Sequence, residues 1–115
     1  MKRVISAVAT VATLFAASPV AAAEHMILIL EDAYFPQVTY LERGDTVRFV
    51  NASGLSHNII AKNNSWELGP IPVDGEVTLL IDDGVQKTFY NTASEGEDGV
   101  FLVEGKMSYS NAPLN

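Results

Sequence analysis

A chain of 115 residues with 48% hydrophobic content has room for one folded domain and too much apolar side chain to remain disordered. Its 14 acidic residues against 7 basic ones repel phosphate backbones and anionic lipid, which argues against nucleic-acid binding and favours basic partners, cationic ligands or plain solubility. The absence of cysteine excludes a thiolate metal ligand, a thiol nucleophile and a redox disulfide, and leaves the core alone to hold the fold.

The first residues form a separate unit. Lys2 and Arg3 precede an apolar, alanine-rich run from Val4 to Ala17, followed by Ser18-Pro19-Val20-Ala21-Ala22-Ala23. A basic start, a short apolar stretch and a small-residue cut site describe a cleaved signal peptide over residues 1–23. The run is short for a bilayer span, and no later segment approaches spanning length. Removing the leader leaves 5 basic residues against 14 acidic ones, a net charge of −9.

From residue 24 short strands alternate with turns. "MILIL" is an apolar run of strand length, and "QVTYLE" alternates before the turn "ERGD". "TVRFVN" sets Val47 and Phe49 on one face and Arg48 on the other, the mark of a half-buried strand. "HNIIA" is a further strand, Pro70 and Pro72 mark an irregular loop around Ile71, and "VDGE" turns into "VTLLI". "DDG" leads to "KTFYN", and "GVFLVEG" is expected to close the domain as its last strand. About seven strands at this spacing predict an all-β sandwich or barrel over residues 24–107, with a loosely held polar tail over 108–115.

The order of features resembles the cupredoxins, small copper proteins of the plastocyanin, amicyanin and pseudoazurin type. The likeness rests on "AYFPQVTYLERGDTVRFVN", then "SHNII" with a histidine opening a strand, then an aromatic strand, a polar loop and "GVFLVEG", from about Met26 to Glu104. It implies a Greek-key β-sandwich. It also implies a metal site built from one mid-chain histidine plus a cysteine, a second histidine and a methionine in the final loop. His57 matches the first histidine. Asn91, Ser94 and Glu97 fall on the other three positions at a three-residue step.

Three of the four ligands are therefore replaced. An amide and a hydroxyl are neutral, weak donors, so a blue-copper electron-transfer centre is not expected. Copper or zinc could be held weakly by His57 with Glu97, aided by Asp98. The blander alternative is a histidine hydrogen-bonded to Asn91, Ser94 or Glu97. The resemblance also implies a tie between Asn58 and the ligand loop near Thr92. Glu95, Glu97 and Asp98 lack the D-x-[DN]-x-[DN]-G order of a calcium loop and read as a solvated acidic rim. A Ser94–His57 nucleophile pair lacks a strained elbow, oxyanion donors and a third group, so no enzyme is expected.

Two further features stand apart. Cleavage after Ala22 would make His25 the third residue and create a square-planar copper or nickel nest, whereas cleavage after Ala23 would destroy it. Both cuts satisfy the small-residue rule. Trp66, Leu68, Ile71 and Pro72, or Leu55 with Pro70 and Ile71, could dock a partner; a Trp66 that caps the core is the alternative. The expectation is an exported, periplasmic binding or accessory protein. A non-blue copper carrier using His57 with Glu97, or His25, is the second reading, and electron transfer rests on family analogy alone.

Overall fold

The computed structural model describes residues 22–97 and 99–110. Residues 1–21 of the leader read over 1–23, Asp98 and the chain end at 111–115 lie outside the described residues. Among the described residues nine strands form two sheets: β1 Glu24–Ile29, β2 Tyr34–Phe35, β3 Val38–Tyr40, β4 Thr46–Asn51, β5 His57–Ala61, β6 Glu67–Ile71, β7 Glu76–Leu80, β8 Thr88–Asn91 and β9 Glu104–Ser108. One sheet runs β2-β1-β4-β7 and the other β3-β9-β8-β5-β6. β1 pairs with β4, and β3 with β9, in parallel; the remaining pairs are antiparallel. An all-β sandwich is what the strand spacing predicted.

Alternation builds the core. In β4 Val47, Phe49 and Asn51 are buried while Thr46, Arg48 and Val50 are less so, because successive side chains leave opposite faces of a strand. The same rule buries His57, Ile59 and Ala61 in β5, and Phe89 and Asn91 in β8. Phe89 sits at the centre, edge-on to Tyr34 at 4.8 Å and to Phe49 at 5.3 Å. These edge-to-face contacts suit the ring quadrupoles and fix Phe89 between the sheets. Trp66 packs against this cluster 6.2 Å from Phe89 and donates its indole N–H to the Gln86 carbonyl. It caps the core, the commoner of the two roles the sequence offered.

Four expectations need correction. Pro70 does not lie in an irregular loop but within β6, at the edge of its sheet, where a missing N–H breaks no ladder bond on the open side. Ile71 points inward at 2% exposure and is unavailable to a partner. The segment "GVFLV" is not the last strand. It forms the return arm of a folded loop, with one bridge between Glu95 and Phe101, and β9 begins only at Glu104. Ser108, assigned to the tail, belongs to β9 and its carbonyl accepts from the Leu41 N–H.

Gly69 takes φ +123°, and a Cβ there would stand 3.0 Å from the His57 carbonyl oxygen. Only glycine permits this close approach, which accompanies the register shift between His57 and Ile59. It fixes the point where β5 emerges, and so the position of His57.

Candidate functional site

Four loops meet at one end of the sandwich: 30–33, 52–56, 72–75 and 92–103. Backbone bonds fasten two of them to neighbouring strand ends: Ala52 N–H to the Ile29 carbonyl and Asp74 N–H to the Asn51 carbonyl. Beneath them the inward faces of β4, β5 and β8 end in polar residues. Asn51 and Asn91 are fully buried, His57 is 3% exposed and Ser53 9%. Buried polar atoms at such depth must find partners among themselves.

They do so in one continuous chain. The Ala93 N–H donates to Asn91 Oδ1 at 2.9 Å, which leaves the Asn91 amide nitrogen facing His57 Nδ1 at 3.0 Å. The Asn91 oxygen is farther from that nitrogen, at 3.3 Å, and already engaged. His57 Nδ1 therefore accepts, and its Nε2–H donates to Ser53 Oγ at 2.7 Å. Ser53 donates in turn to Asn51 Oδ1 at 2.7 Å, and Asn51 Nδ2 donates to the carbonyls of Leu55 and Ile71 at 2.7 and 2.8 Å. The ring gives one hydrogen bond and accepts one, the pattern of neutral imidazole.

The structure brings the His57 and Asn91 side chains together, whereas Ser94 contacts only the Asn91 backbone and neither Ser94 nor Glu97 shows a hydrogen bond to His57 among the described residues. Ser94 lies in a 3-10 turn, Thr92–Ser94, and faces its own loop. Its hydroxyl donates to the Asn91 carbonyl at 2.6 Å and accepts from the N–H groups of Leu102 and Val103 at 3.1 and 3.0 Å. Glu97 is exposed on the rim. Thr92 Oγ1 stands 3.5 Å from the Asn58 carbonyl oxygen, at the far limit of a hydrogen bond. The Asn58 side chain donates instead to Glu67 Oε2 at 3.2 Å, so it does not itself reach the loop.

Sequence reasoning missed Asn51 and Ser53. The signal was present, since alternation in "TVRFVN" places Asn51 on the buried face with Val47 and Phe49. In "NAS" the asparagine oxygen accepts from the Ser53 N–H at 2.9 Å, a local turn that delivers the serine to His57.

Copper and zinc do not fit this arrangement. The Asn91 amide N–H occupies the lone pair of His57 Nδ1, and Nε2 carries the proton given to Ser53. Among the described residues no group of three His, Cys, Asp or Glu could hold a metal ion. The Ser94–His57 pair is not formed: the Ser94 hydroxyl is engaged by the Asn91 carbonyl and the Leu102 and Val103 N–H groups, and His57 Nε2 meets Ser53 instead.

His25, the other candidate ligand, lies across the sandwich near the start of β4. Its Nε2 is 2.9 Å from Asp45 Oδ2. Asp45 also accepts from the Ala23 and Glu42 N–H groups, both at 2.9 Å. These donors, Ala23 first, then His25 and Glu42, lower its pKa to about 2.

The sequence matches no family profile and no curated protein. Solved structures do match its fold. An amicyanin variant in its reduced Cu(I) form shares 20% identity over 77% of this chain and 84% of its own, with a TM-score of 0.58. An oxidised amicyanin variant gives 17% identity, 73% and 79% coverage and a TM-score of 0.58. The pseudoazurin of Hyphomicrobium denitrificans gives 18% identity, 74% and 73% coverage and a TM-score of 0.54.

Proposed function

We propose that this chain, which has the cupredoxin fold, is an exported binding or accessory module that works through the loop end of its sandwich. The observation that carries this reading is the Asn91–His57–Ser53–Asn51 chain, a hydrogen-bonded network that engages His57 and Asn91, two of the four positions that the cupredoxin resemblance assigns to copper ligands. Its members use their polar groups on one another. What that end offers is therefore its outer surface. Leu55, Val73, Val100 and Leu102 are exposed there, among Glu31, Asp32, Asp74, Glu95 and Glu97. Apolar contacts in an acidic frame complement a partner with apolar and basic side chains, and the long-range field speeds its approach. Export to the periplasm rests on the leader pattern of the first 23 residues.

The test has two arms. Cu(II) and Zn(II) are titrated into the wild type under a competing chelator, and into His57→Ala and His25→Ala. Tight stoichiometric binding lost in either variant would replace this reading with a metal carrier. In the second arm the wild type and a Leu55→Asp/Leu102→Asp variant are used as bait for periplasmic extract at low and high salt. A basic protein retained by the wild type alone, and released by salt, is the expected result. Equal retention by both would remove the loop end as the working surface.

A further inference from the structure

We propose that the leader is cut between Ala22 and Ala23, and that the α-ammonium so released is held by the carboxylate of Asp45. The inference rests on the export reading and goes beyond it by choosing between two cut sites that the sequence leaves equal.

The choice follows from which residues the fold uses. Ala22 is exposed and makes no hydrogen bond to another described residue, whereas both backbone groups of Ala23 are committed. Its nitrogen donates to Asp45 Oδ1 at 2.9 Å. Its carbonyl accepts from the Thr46 N–H at 3.0 Å, opening the parallel β1–β4 ladder. A cut after Ala23 would remove both contacts and leave Thr46 and one carboxylate oxygen short of a partner. A cut after Ala22 keeps both.

The second cut position also strengthens what it keeps. Hydrolysis adds water across the Ala22–Ala23 bond: the Ala22 carbonyl carbon gains the oxygen, and the Ala23 nitrogen leaves as an amine that takes up a proton. The chemistry is that of a leader peptidase acting on the exported chain. One amide N–H beside Asp45 becomes an ammonium at the same position. Asp45 is only 6% exposed while Ala23 is exposed, so water screens the pair in part and the charge-assisted contact keeps the rest of its strength. The groups facing this carboxylate are the Ala23 nitrogen, the His25 imidazole and the Glu42 N–H. The receptor therefore offers one negative charge to a new positive one.

A consequence touches the copper nest considered at the mature terminus. That nest needs the amine, two successive backbone nitrogens and the His25 ring wrapped around one ion. Here the amine and the ring both face Asp45, and Glu24 onward is extended in register with Thr46 onward. Metal capture would require the start of β1 to leave its partner strand.

The experiment expresses the full chain in a Gram-negative host and weighs the protein recovered from the periplasm. A first residue of Ala23 is expected. A start at Glu24, or at any residue before Ala23, overturns the inference while leaving export standing; a retained leader overturns export as well. Independently, forms beginning at Ala23 and at Glu24 are prepared by scarless removal of a fusion partner, each with and without Asp45→Asn. The Ala23 form should melt several degrees higher, and Asp45→Asn should erase most of that difference. Equal melting of the two forms would refute the ammonium–Asp45 pairing even if Asp45→Asn proved too unstable to study.

Discussion

The side-chain amide of Asn91 stands 3.0 Å from Nδ1 of His57, across 34 residues of sequence, and both side chains are buried. This contact joins the last residue of β8 to the first residue of β5 and passes the hydrogen bond on to Ser53 and Asn51. Replacing Asn91 with alanine leaves a buried imidazole nitrogen and the Ala93 N–H without partners. Asn91→Ala should cost about 1–3 kcal/mol in denaturant unfolding. It should also shift the His57 ring resonances in NMR spectra. An unchanged unfolding midpoint would mean that the network adds nothing to the fold.

Ser94 closes the loop between β8 and β9 by serving one carbonyl and two N–H groups. Ser94→Ala should destabilise the protein by about 1–2 kcal/mol. Amide exchange should quicken at Leu102 and Val103 while β4 and β5 keep their protection. Uniform loss of protection would contradict a local role.

The ionisation of Asp45 is coupled to folding in the acid range. Its carboxyl is held down to about 2 by the Ala23, His25 and Glu42 donors, below the ordinary 3.8. A depressed folded-state value stabilises the protein above the unfolded value, and that contribution is lost as pH falls from about 4 towards 2. Thermal melts of the wild type should therefore drop over this interval more steeply than those of Asp45→Asn. Parallel curves for the two would refute the coupling.

Tyr34 carries a buried hydroxyl with no hydrogen-bond partner, and burial pushes its ionisation well above the ordinary phenol range. Its ring, by contrast, packs edge-on to Phe89. Tyr34→Phe keeps the ring and removes the unsatisfied oxygen, so it should be neutral or stabilising by up to about 1 kcal/mol. A loss of stability on chemical denaturation would show that the hydroxyl has a partner in solution.

Gly105 faces the same ring from β9. A Cβ there would lie 2.4 Å from two Phe89 carbons, closer than any side chain tolerates. Gly105→Ala should cost at least about 1–3 kcal/mol through forced movement of the central aromatic. The near-ultraviolet circular dichroism of the aromatic cluster should change with it. Wild-type stability in this variant would mean that Phe89 has room to move.

What the sequence determined by itself is local. Alternation in "TVRFVN", "HNIIA" and "TFYN" fixed which residues face inward, because a strand's side chains alternate whatever it pairs with. The lack of cysteine likewise removed thiolate chemistry before any fold was known. The tertiary structure decided what lies far apart in the chain or depends on strand position. Pro70 joined a strand because β6 lies at a sheet edge, and "GVFLV" lost its strand because Ser94 captured the Leu102 and Val103 N–H groups. His57 met Asn91 and Ser53, not Ser94 or Glu97, because strand register selects neighbours in space. Spacing along a loop does not say which way its side chains turn.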